Sequence, residues 1–392
     1  MSRQDYGSGS IVERGPGRWQ VTVSSGRDPR TGKRQRRRFT VRGVRREAQR
    51  ALRQALQERD QGMVLPSGKI TVGAWLTRWL ARHQSEGHLG PKTHDNYRRI
   101  VTRHLLPSLG HVFLRDLRPD HIGDLKTRLL SGEKSTASVP LAGATAFKIL
   151  GVLKVAMAEA VRAGVLARNP SEAVSSPSVR AAAERRALTD EEIAALVAQA
   201  TGTRYDVPVR FTLATGLRQG ELLALRWSDV DHDAGTIDVR RTLSYVGGKV
   251  EFLPPKTDHS RRTVELSAAT VGLLTAHRVA QTEHRLRIGS IWQDNGLVFP
   301  SLIGTPWLPR PFYRGYRPIV DGSGISHPET VNWHTLRHTA ASQWLRHGVD
   351  VFSVSRRLGH ASASFTMDTY AHLLKGQQRE AAEALDYLLA QA

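Results

Sequence analysis

The sequence predicts an α+β multidomain chain: a small N-terminal three-stranded β-sheet plus helix, an all-α helical domain, and a mainly α C-terminal domain with a small antiparallel β-sheet. Three observations lead there. The apolar period is two along residues 11–41 and becomes helical beyond residue 69. Two stretches break both patterns and read as linkers: Gly62–Gly68, which contains Pro66, and Ser171–Arg186, rich in Ser, Ala and Arg. The 392 residues are 40% hydrophobic, enough for more than one core. The expected boundaries are therefore 1–62, 69–170 and 187–392, with 171–186 as a connector.

Charge narrows the partners. The chain holds 57 Lys+Arg against 36 Asp+Glu, a formal net charge of +21, and so calls for a polyanion. The excess is uneven: residues 1–62 carry 16 Lys+Arg and 6 Asp+Glu, a net of +10. No apolar run approaches the roughly 20 residues of a membrane span, and the N-terminus lacks the apolar core of a signal peptide. A cytoplasmic protein with no membrane partner is expected. The absence of Cys excludes disulfides and thiolate metal sites and fits a reducing compartment.

In the first domain Trp19, Val21 and Val23 alternate with Arg18, Gln20 and Thr22, the signature of a strand with one buried face. Gly26, Pro29 and Gly32 mark a turn, Lys33–Val41 reads as a second strand, and Ile11 and Val12 suggest a short strand before both. A helix from about Arg45 to Asp60 follows, with Ala48, Leu52, Ala55 and Leu56 as its stripe. Arg36, Arg37 and Arg38 load one strand with cations, and such a sheet can lie in a DNA major groove. The competing reading is a solvated basic face; the basicity of the whole chain favours DNA.

The second domain reads as four helices. Val72, Trp75, Leu76, Trp79 and Leu80 line the first, after Thr71. The second starts near Thr93, carries Tyr97, Ile100, Val101 and Leu105, and is expected to stop at Pro107 and Gly110. The third runs about Pro119 to Leu130 with Asp120 as its cap, and the fourth, about Ala142 to Ala163, is expected to bury Phe147, Leu150, Leu153, Met157 and Val161. Lys92, Arg98, Arg99 and Arg103 give one helix a basic surface able to clamp a duplex.

The third domain opens with Thr189-Asp190-Glu191-Glu192, a capping box. Thr215-Gly216-Leu217-Arg218-Gln219-Gly220-Glu221-Leu222 places Arg218 between glycines at a turn into a helix; the bland alternative, an Arg218–Glu221 surface ion pair, is worth under about 1 kcal/mol. Thr236–Tyr245, Val250–Pro254 and Thr263–Leu266 read as strands, with Gly247-Gly248 as a hairpin turn and Lys256 on the loop before the last strand. A hairpin Lys is usually just solvated. The densest run comes late: Asn332-Trp333-His334-Thr335-Leu336-Arg337-His338, then Leu358-Gly359-His360, then Thr369-Tyr370-Ala371-His372. His334 and Arg337 are spaced i, i+3, so on a helix both can converge on one anion, and a guanidinium matches phosphate oxygens. His334 and His338 at i, i+4 also fit metal ligands, but the zinc-protease pattern needs Glu where Thr335 stands. A lone Tyr is ordinarily a packing residue; Tyr370 gains weight because a phenol beside clustered cations can attack phosphorus.

These motifs resemble the tyrosine recombinase family, of the phage integrase type. Thr215–Val230 is similar to its first Arg box, Pro255–Leu266 to its β-hairpin Lys element, and His334–His338 to its His-x-x-Arg box. Leu358–His360 and Thr366–His372 are similar to its final segment, which carries the Tyr nucleophile. The motifs span about 185–385, and the two N-terminal domains agree in size and order with the family's arm-type and core-binding modules. The resemblance implies Arg218, Lys256, His334, Arg337, His360 and Tyr370 as the catalytic set, with Glu221 at a supporting acidic position. None is substituted, so it implies an active enzyme.

It further implies that Tyr370 attacks a DNA phosphodiester and forms a 3′-phosphotyrosine that a 5′-hydroxyl reseals, with no nucleotide cofactor and no metal. Arg218 and Arg337 would hold the non-bridging oxygens, Lys256 would protonate the leaving 5′-oxygen, His334 would assist proton transfer at Tyr370, and His360 would bond the phosphate. The implied partners are double-stranded DNA attachment sites and further copies of the chain in a homotetramer, with an accessory DNA-bending or excision factor as a further candidate. The implied setting is a bacterial or phage-encoded, nucleoid-associated enzyme that integrates or excises a mobile element. The C-terminal helix Gln377–Leu389 would dock on a neighbouring protomer or on its own domain. Three readings compete: a type IB topoisomerase-like strand transferase, a non-catalytic DNA-binding regulator, and a metallohydrolase built on His334, His338 and His360.

Overall fold

The computed structural model describes residues 9–27, 34–60, 70–132, 139–178, 186–255, 260–360 and 362–370. The chain divides into two units, Met1–Arg180 and Ala181–Ala392.

The first unit begins with three antiparallel strands, β1 (Ser10–Gly15), β2 (Arg18–Arg27) and β3 (Arg34–Arg42), in the order β1-β2-β3, followed by α1 (Arg45–Asp60). Period-two alternation turns Val21 and Val23 inward against Ala48 and Ala55 of α1, with Trp19, Phe39, Val41, Leu52 and Leu56 packed around them. Register places Thr22 opposite Arg38 and Ser24 opposite Arg36, so both arginines share the outer face, where they are exposed; Arg37 stands opposite Val23, and its side chain lies outside the described residues. The turn expected at Pro29 and Gly32 and the whole linker at Gly62–Gly68 also lie outside them.

The helical part of this unit contains α2 (Val72–Ser85), α3 (Pro91–Ile100), α4 (Leu106–Leu109), α5 (Pro119–Ser131) and α6 (Gly143–Arg162). The Thr71 side chain caps α2 by accepting from the Ala74 N–H, and Val72, Trp75, Leu76, Trp79 and Leu80 are all buried, as their spacing predicts. Pro107 does not stop the second helix. A π-helical turn, Val101–Leu105, widens the chain before Pro107, which then occupies the first turn of α4, where its missing N–H is no loss. The cap of α5 also differs from expectation: Pro119 starts the helix, Asp120 lies in its first turn, and the His121 ring accepts from the Arg118 N–H at 3.2 Å. On α6 the buried face is Ala146, Ile149, Val152, Leu153, Ala156, Met157 and Ala160, while Phe147 is 47% exposed. Leu153 and Met157 are buried as expected, beside alanines where the helix is approached closely; the Trp75 indole N–H donates to the Ala156 carbonyl at 2.9 Å. Lys92, Arg98, Arg99 and Arg103 are exposed, with Arg98 paired to Asp95 at 2.6 Å. The connector does not begin freely at Ser171: Asn169 caps a 3-10 turn, Pro170–Ala173, Ser171 is buried, and Val174 packs on the helical core.

The second unit starts at α7 (Asp190–Ala200), where Thr189 and Glu192 bond each other's backbone N–H groups as the capping box predicts. Next come α8 (Asp206–Thr215), α9 (Gln219–Leu222), β4 (Val230–Asp231), β5 (Thr236–Val239), β6 (Thr242–Val246), β7 (Lys249–Leu253) and β8 (Arg262–Glu265). Thr236–Tyr245 is not one strand. It divides at Arg240-Arg241, so that β4-β5-β8 form one antiparallel sheet and β6-β7 a separate hairpin, with Arg241 ion-paired to Asp229 at the division. The β6-β7 turn is Gly247-Gly248, both with positive φ. Helices α10 (Ala268–Ile288), α11 (Pro309–Asp321), α12 (Trp333–Arg346), α13 (Val351–Leu358) and α14 (Ala363–Tyr370) complete the unit. Its core gathers Leu196, Phe211, Leu222, Ile237, Phe312, Tyr316 and Leu336 from six elements, which fixes α8, α9 and α12 against one another. Among the described residues no helix is long and apolar enough to cross a membrane.

Candidate active site

Four segments of the second unit converge: the α8–α9 turn, the start of β8, α12, and the α13–α14 corner. Helix α8 ends in Gly216, with φ +66°, and a Cβ there would come within 2.7 Å of Leu358 and 3.0 Å of Trp344. This close turn delivers Arg218 to the N-cap of α9. Its guanidinium donates to Glu221 Oε1 at 2.7 Å and to the Gly359 carbonyl at 3.0 Å, and its backbone N–H donates to Glu221 Oε2 at 3.0 Å.

Helix α12 is capped by Asn332, whose side chain accepts from the His334 N–H at 2.9 Å. Most of this helix is buried, Arg337 to 2% exposure. Arg337 donates from one terminal nitrogen to the Gly216 carbonyl at 2.7 Å and from the other to the Leu358 carbonyl at 2.6 Å, so two chain turns fix the guanidinium plane. Burial, followed by the charge of Arg218, lowers its pKa to about 9, and the group remains a cation at neutral pH. His334 differs from the shared-face expectation: it is exposed, while Arg337 turns inward.

Glu221 joins the cations. It is 5% exposed and receives Arg262 at 3.0 and 3.3 Å as well as Arg218. Burial opposes its charge, but the ion pair and hydrogen bonds with Arg262, then the charges of Arg218 and Arg337, outweigh burial and hold the carboxyl at about 2. Three guanidinium groups therefore face one carboxylate, and an excess of positive charge remains for an anion. Arg262 also donates to the Arg357 carbonyl at 2.6 Å, and it lies so close to Gly359 that a Cβ there would meet its guanidinium at 2.9 Å. Arg357 in turn donates to the carbonyls of Ala214 and Glu265, tying α13 to α8 and β8.

Gly359 ends α13 in the left-handed conformation, φ +66°, and turns the chain into His360. The His360 Nδ1 is 2.7 Å from Thr366 Oγ1. Burial, then Arg337 and Arg218, lowers its pKa to about 3, so the imidazole is neutral at physiological pH. Tyr370, at the end of α14, is 3% exposed against Ala341, Leu345, Val354 and Leu358. Its hydroxyl is 2.7 Å from His338 Nδ1.

Arg218, Glu221, Arg337 and His360 thus form one electrostatically connected cluster with Tyr370, which also acts on the charge of Arg337. Lys256, Ala371 and His372 lie outside the described residues, as does Gln377–Leu389. Two members were not found from the motifs. Arg262 stands in an Arg261-Arg262 pair that resembles a solvated loop end, and only its burial between Glu221 and Arg357 marks it. His338 is in the motif run, where its i, i+4 spacing from His334 points only to a metal; its contact with Tyr370 depends on the docking of α14.

The phage integrase family model matches residues 186–377, and that for the phage integrase N-terminal SAM-like domain matches residues 71–130. The tyrosine recombinase XerD of Bradyrhizobium diazoefficiens is 30% identical over 325 residues, covering 79% of this chain and 94% of the relative. The chain belongs to the phage integrase family of tyrosine recombinases. A tyrosine recombinase XerC-like protein of Caldanaerobacter subterraneus subsp. tengcongensis is 27% identical over 400 residues, covering 97% of this chain and 98% of that protein. In fold, the chain is similar to the Tn1549 transposon integrase, solved in complex with a circular intermediate DNA, with a TM-score of 0.66 at 18% identity over 81% of this chain and 100% of that one. As a tyrosine recombinase, the protein cleaves and rejoins DNA site-specifically.

Proposed function

We propose that this recombinase is an integrase of a mobile element, that it acts on double-stranded attachment sites as a homotetramer, and that Arg218, Lys256, His334, Arg337, His360 and Tyr370 carry the reaction with Glu221 in support. The observation that carries this reading is the placement of Arg337. Two backbone carbonyls fix its plane beside a second arginine, a neutral imidazole and a phenol, the set an in-line displacement at phosphorus requires.

Tyr370 attacks the scissile phosphorus and becomes joined to the 3′ end. Arg218 and Arg337 meet the charge that grows on the non-bridging oxygens; a guanidinium has five N–H donors, and the two Arg337 gives to carbonyls leave others for phosphate. His360 adds a contact to the phosphate, the exposed His334 assists proton transfer at Tyr370, and Lys256 protonates the departing 5′-oxygen. Glu221 reacts with nothing: held at about 2, it stays charged and keeps Arg218 and Arg262 in place. Arg337 and Tyr370 are both buried, so DNA must open this pocket as it enters. The outer face of the N-terminal sheet, with Arg36 and Arg38, and the α3 surface, with Lys92 and Arg98, supply sequence-tolerant grip on phosphates. Tethering these parts to the catalytic domain raises the local concentration of a second DNA site. An accessory DNA-bending or excision factor and a nucleoid-associated location belong to the same reading.

The test is covalent trapping. Wild type and Tyr370→Phe are incubated in chelator with nicked attachment-site DNA and then denatured. The expected result is a chelator-resistant adduct to a 3′ DNA end, absent from the Phe variant. No adduct from wild type on a verified site would favour a DNA-binding regulator, and activity abolished only by chelator would favour a metal enzyme.

A further inference from the structure

Attack by Tyr370 requires removal of the phenolic proton. His334, the expected assistant, is exposed on the first turn of α12. One turn later, His338 is 9% exposed and its Nδ1 lies 2.7 Å from the Tyr370 hydroxyl. A general base must be within about 2.6–3.2 Å of the proton it takes, and His338 meets that condition. We propose that His338 is a catalytic residue, the group that accepts the phenolic proton as Tyr370 attacks. This rests on the reading of Tyr370 as the nucleophile.

The surroundings suit the role. His338 follows Arg337 on the same buried helix, so the proton acceptor and the phosphate grip move as one rigid piece. The rings of His334 and His338 meet edge to face with centroids 4.5 Å apart, and His338 also acts on the charge of the neutral His360. In the tautomer with hydrogen on Nε2, the Nδ1 lone pair faces the hydroxyl. As the Oη–P bond forms, the O–H bond of Tyr370 breaks and its proton passes to Nδ1, giving an imidazolium. The P–O5′ bond breaks, its electron pair leaves with the 5′-oxygen, and that oxygen takes a proton from Lys256. In resealing, an incoming 5′-hydroxyl gives its proton to Lys256 and attacks phosphorus, the P–Oη bond breaks, and the imidazolium returns its proton to the phenolate. The cation forms only when the phosphoryl centre has brought added negative charge into the pocket, which offsets its repulsion by Arg337.

The experiment uses the full chain on nicked attachment-site DNA, with either oxygen or sulfur at the 5′ leaving position, and compares wild type, Tyr370→Phe, His334→Ala, Lys256→Ala and His338→Asn. Asparagine keeps a hydrogen-bonding group near the Nδ1 position but is not a base. We expect His338→Asn to bind DNA and to melt as wild type does, yet to form adduct about 10²–10⁴-fold more slowly. The defect should be equal on oxygen and sulfur substrates, because it lies at the nucleophile, while Lys256→Ala recovers on sulfur and His334→Ala loses less than His338→Asn. A wild-type rate in His338→Asn, or a defect that sulfur erases, would overturn the proposal. If His338→Asn melts early, His338→Gln carries the same test. Failure of wild type itself to form an adduct that Tyr370→Phe lacks would instead remove the nucleophile reading beneath it.

Discussion

On the outer face of the N-terminal sheet Arg36 and Arg38 are exposed, whereas in the C-terminal domain Arg337 is 2% exposed with a backbone carbonyl on each terminal nitrogen. Both regions present guanidinium groups to an anion, yet physics assigns them different work. An exposed arginine keeps its water and its rotamers, so it contributes to binding mainly by displacing counterions, and a neighbour can substitute for it. A buried arginine has already given up its hydration during folding. Carbonyls and Glu221 compensate that loss, and the reward is a cation whose position is set before the phosphate arrives.

The sharpest way to break this contrast is Arg337→Lys. An ammonium cannot span the Gly216 and Leu358 carbonyls with a planar fork, so charge is kept while position is lost. We expect single-turnover cleavage to fall about 10³-fold, about 4 kcal/mol in the barrier, with DNA affinity nearly unchanged. The double variant Arg36→Ala/Arg38→Ala should cleave a short core site at the wild-type rate. Near-normal cleavage by Arg337→Lys would show that charge alone suffices.

The second effect is on stability. Glu221 has its carboxyl held at about 2, below the ordinary 4.5, so the folded state gains from its charge. That gain is complete above about pH 4.5 and disappears as pH falls toward 2. Glu221→Gln leaves Arg218 and Arg262 facing a neutral amide and should cost about 3 kcal/mol at pH 7. In urea unfolding of both proteins across pH, the difference should close as pH falls below about 4.5. A difference that stays constant to pH 2 would mean that the carboxylate's charge does not hold the cluster.

How legible each region was in the sequence follows from the range of the interactions involved. Strand alternation at Trp19, Val21 and Val23, the Thr189 capping box and the Gly247-Gly248 turn are local, and each appears where the residues place it. The motifs also named Arg218, Glu221, Arg337 and His360, which the fold brings together. What the sequence hid was tertiary. Neighbouring residues on a helix point about 100° apart, so nothing in Arg337-His338 reveals that one side chain faces two carbonyls and the other a tyrosine from another helix. Arg262 is buried only because Glu221 and the Arg357 carbonyl come to it from elsewhere in the chain. Phe147 is exposed for the same reason: periodicity marks an apolar stripe on α6, but packing against Trp75 and its neighbours buries the face through Ile149, Val152, Leu153 and Ala156 instead.

The smallest expected effect concerns the exposed arginines themselves, and it tests the other side of the contrast. If Arg36 and Arg38 act through counterion release, each Arg→Ala change should lower the slope of log K against log salt by about 0.9 on B-DNA and leave the rate of core-site cleavage alone. Deleting residues 1–62 should extend the same trend, weakening assembly on long attachment sites while a short core site is still cut. Equilibrium binding measured across salt concentrations, beside single-turnover cleavage on the short site, separates the two. An unchanged slope with lost affinity would mean that this sheet reads bases rather than phosphates. Loss of short-site cleavage would mean that the N-terminal residues contribute to the reaction centre, and the division of labour between exposed and buried arginines would fail.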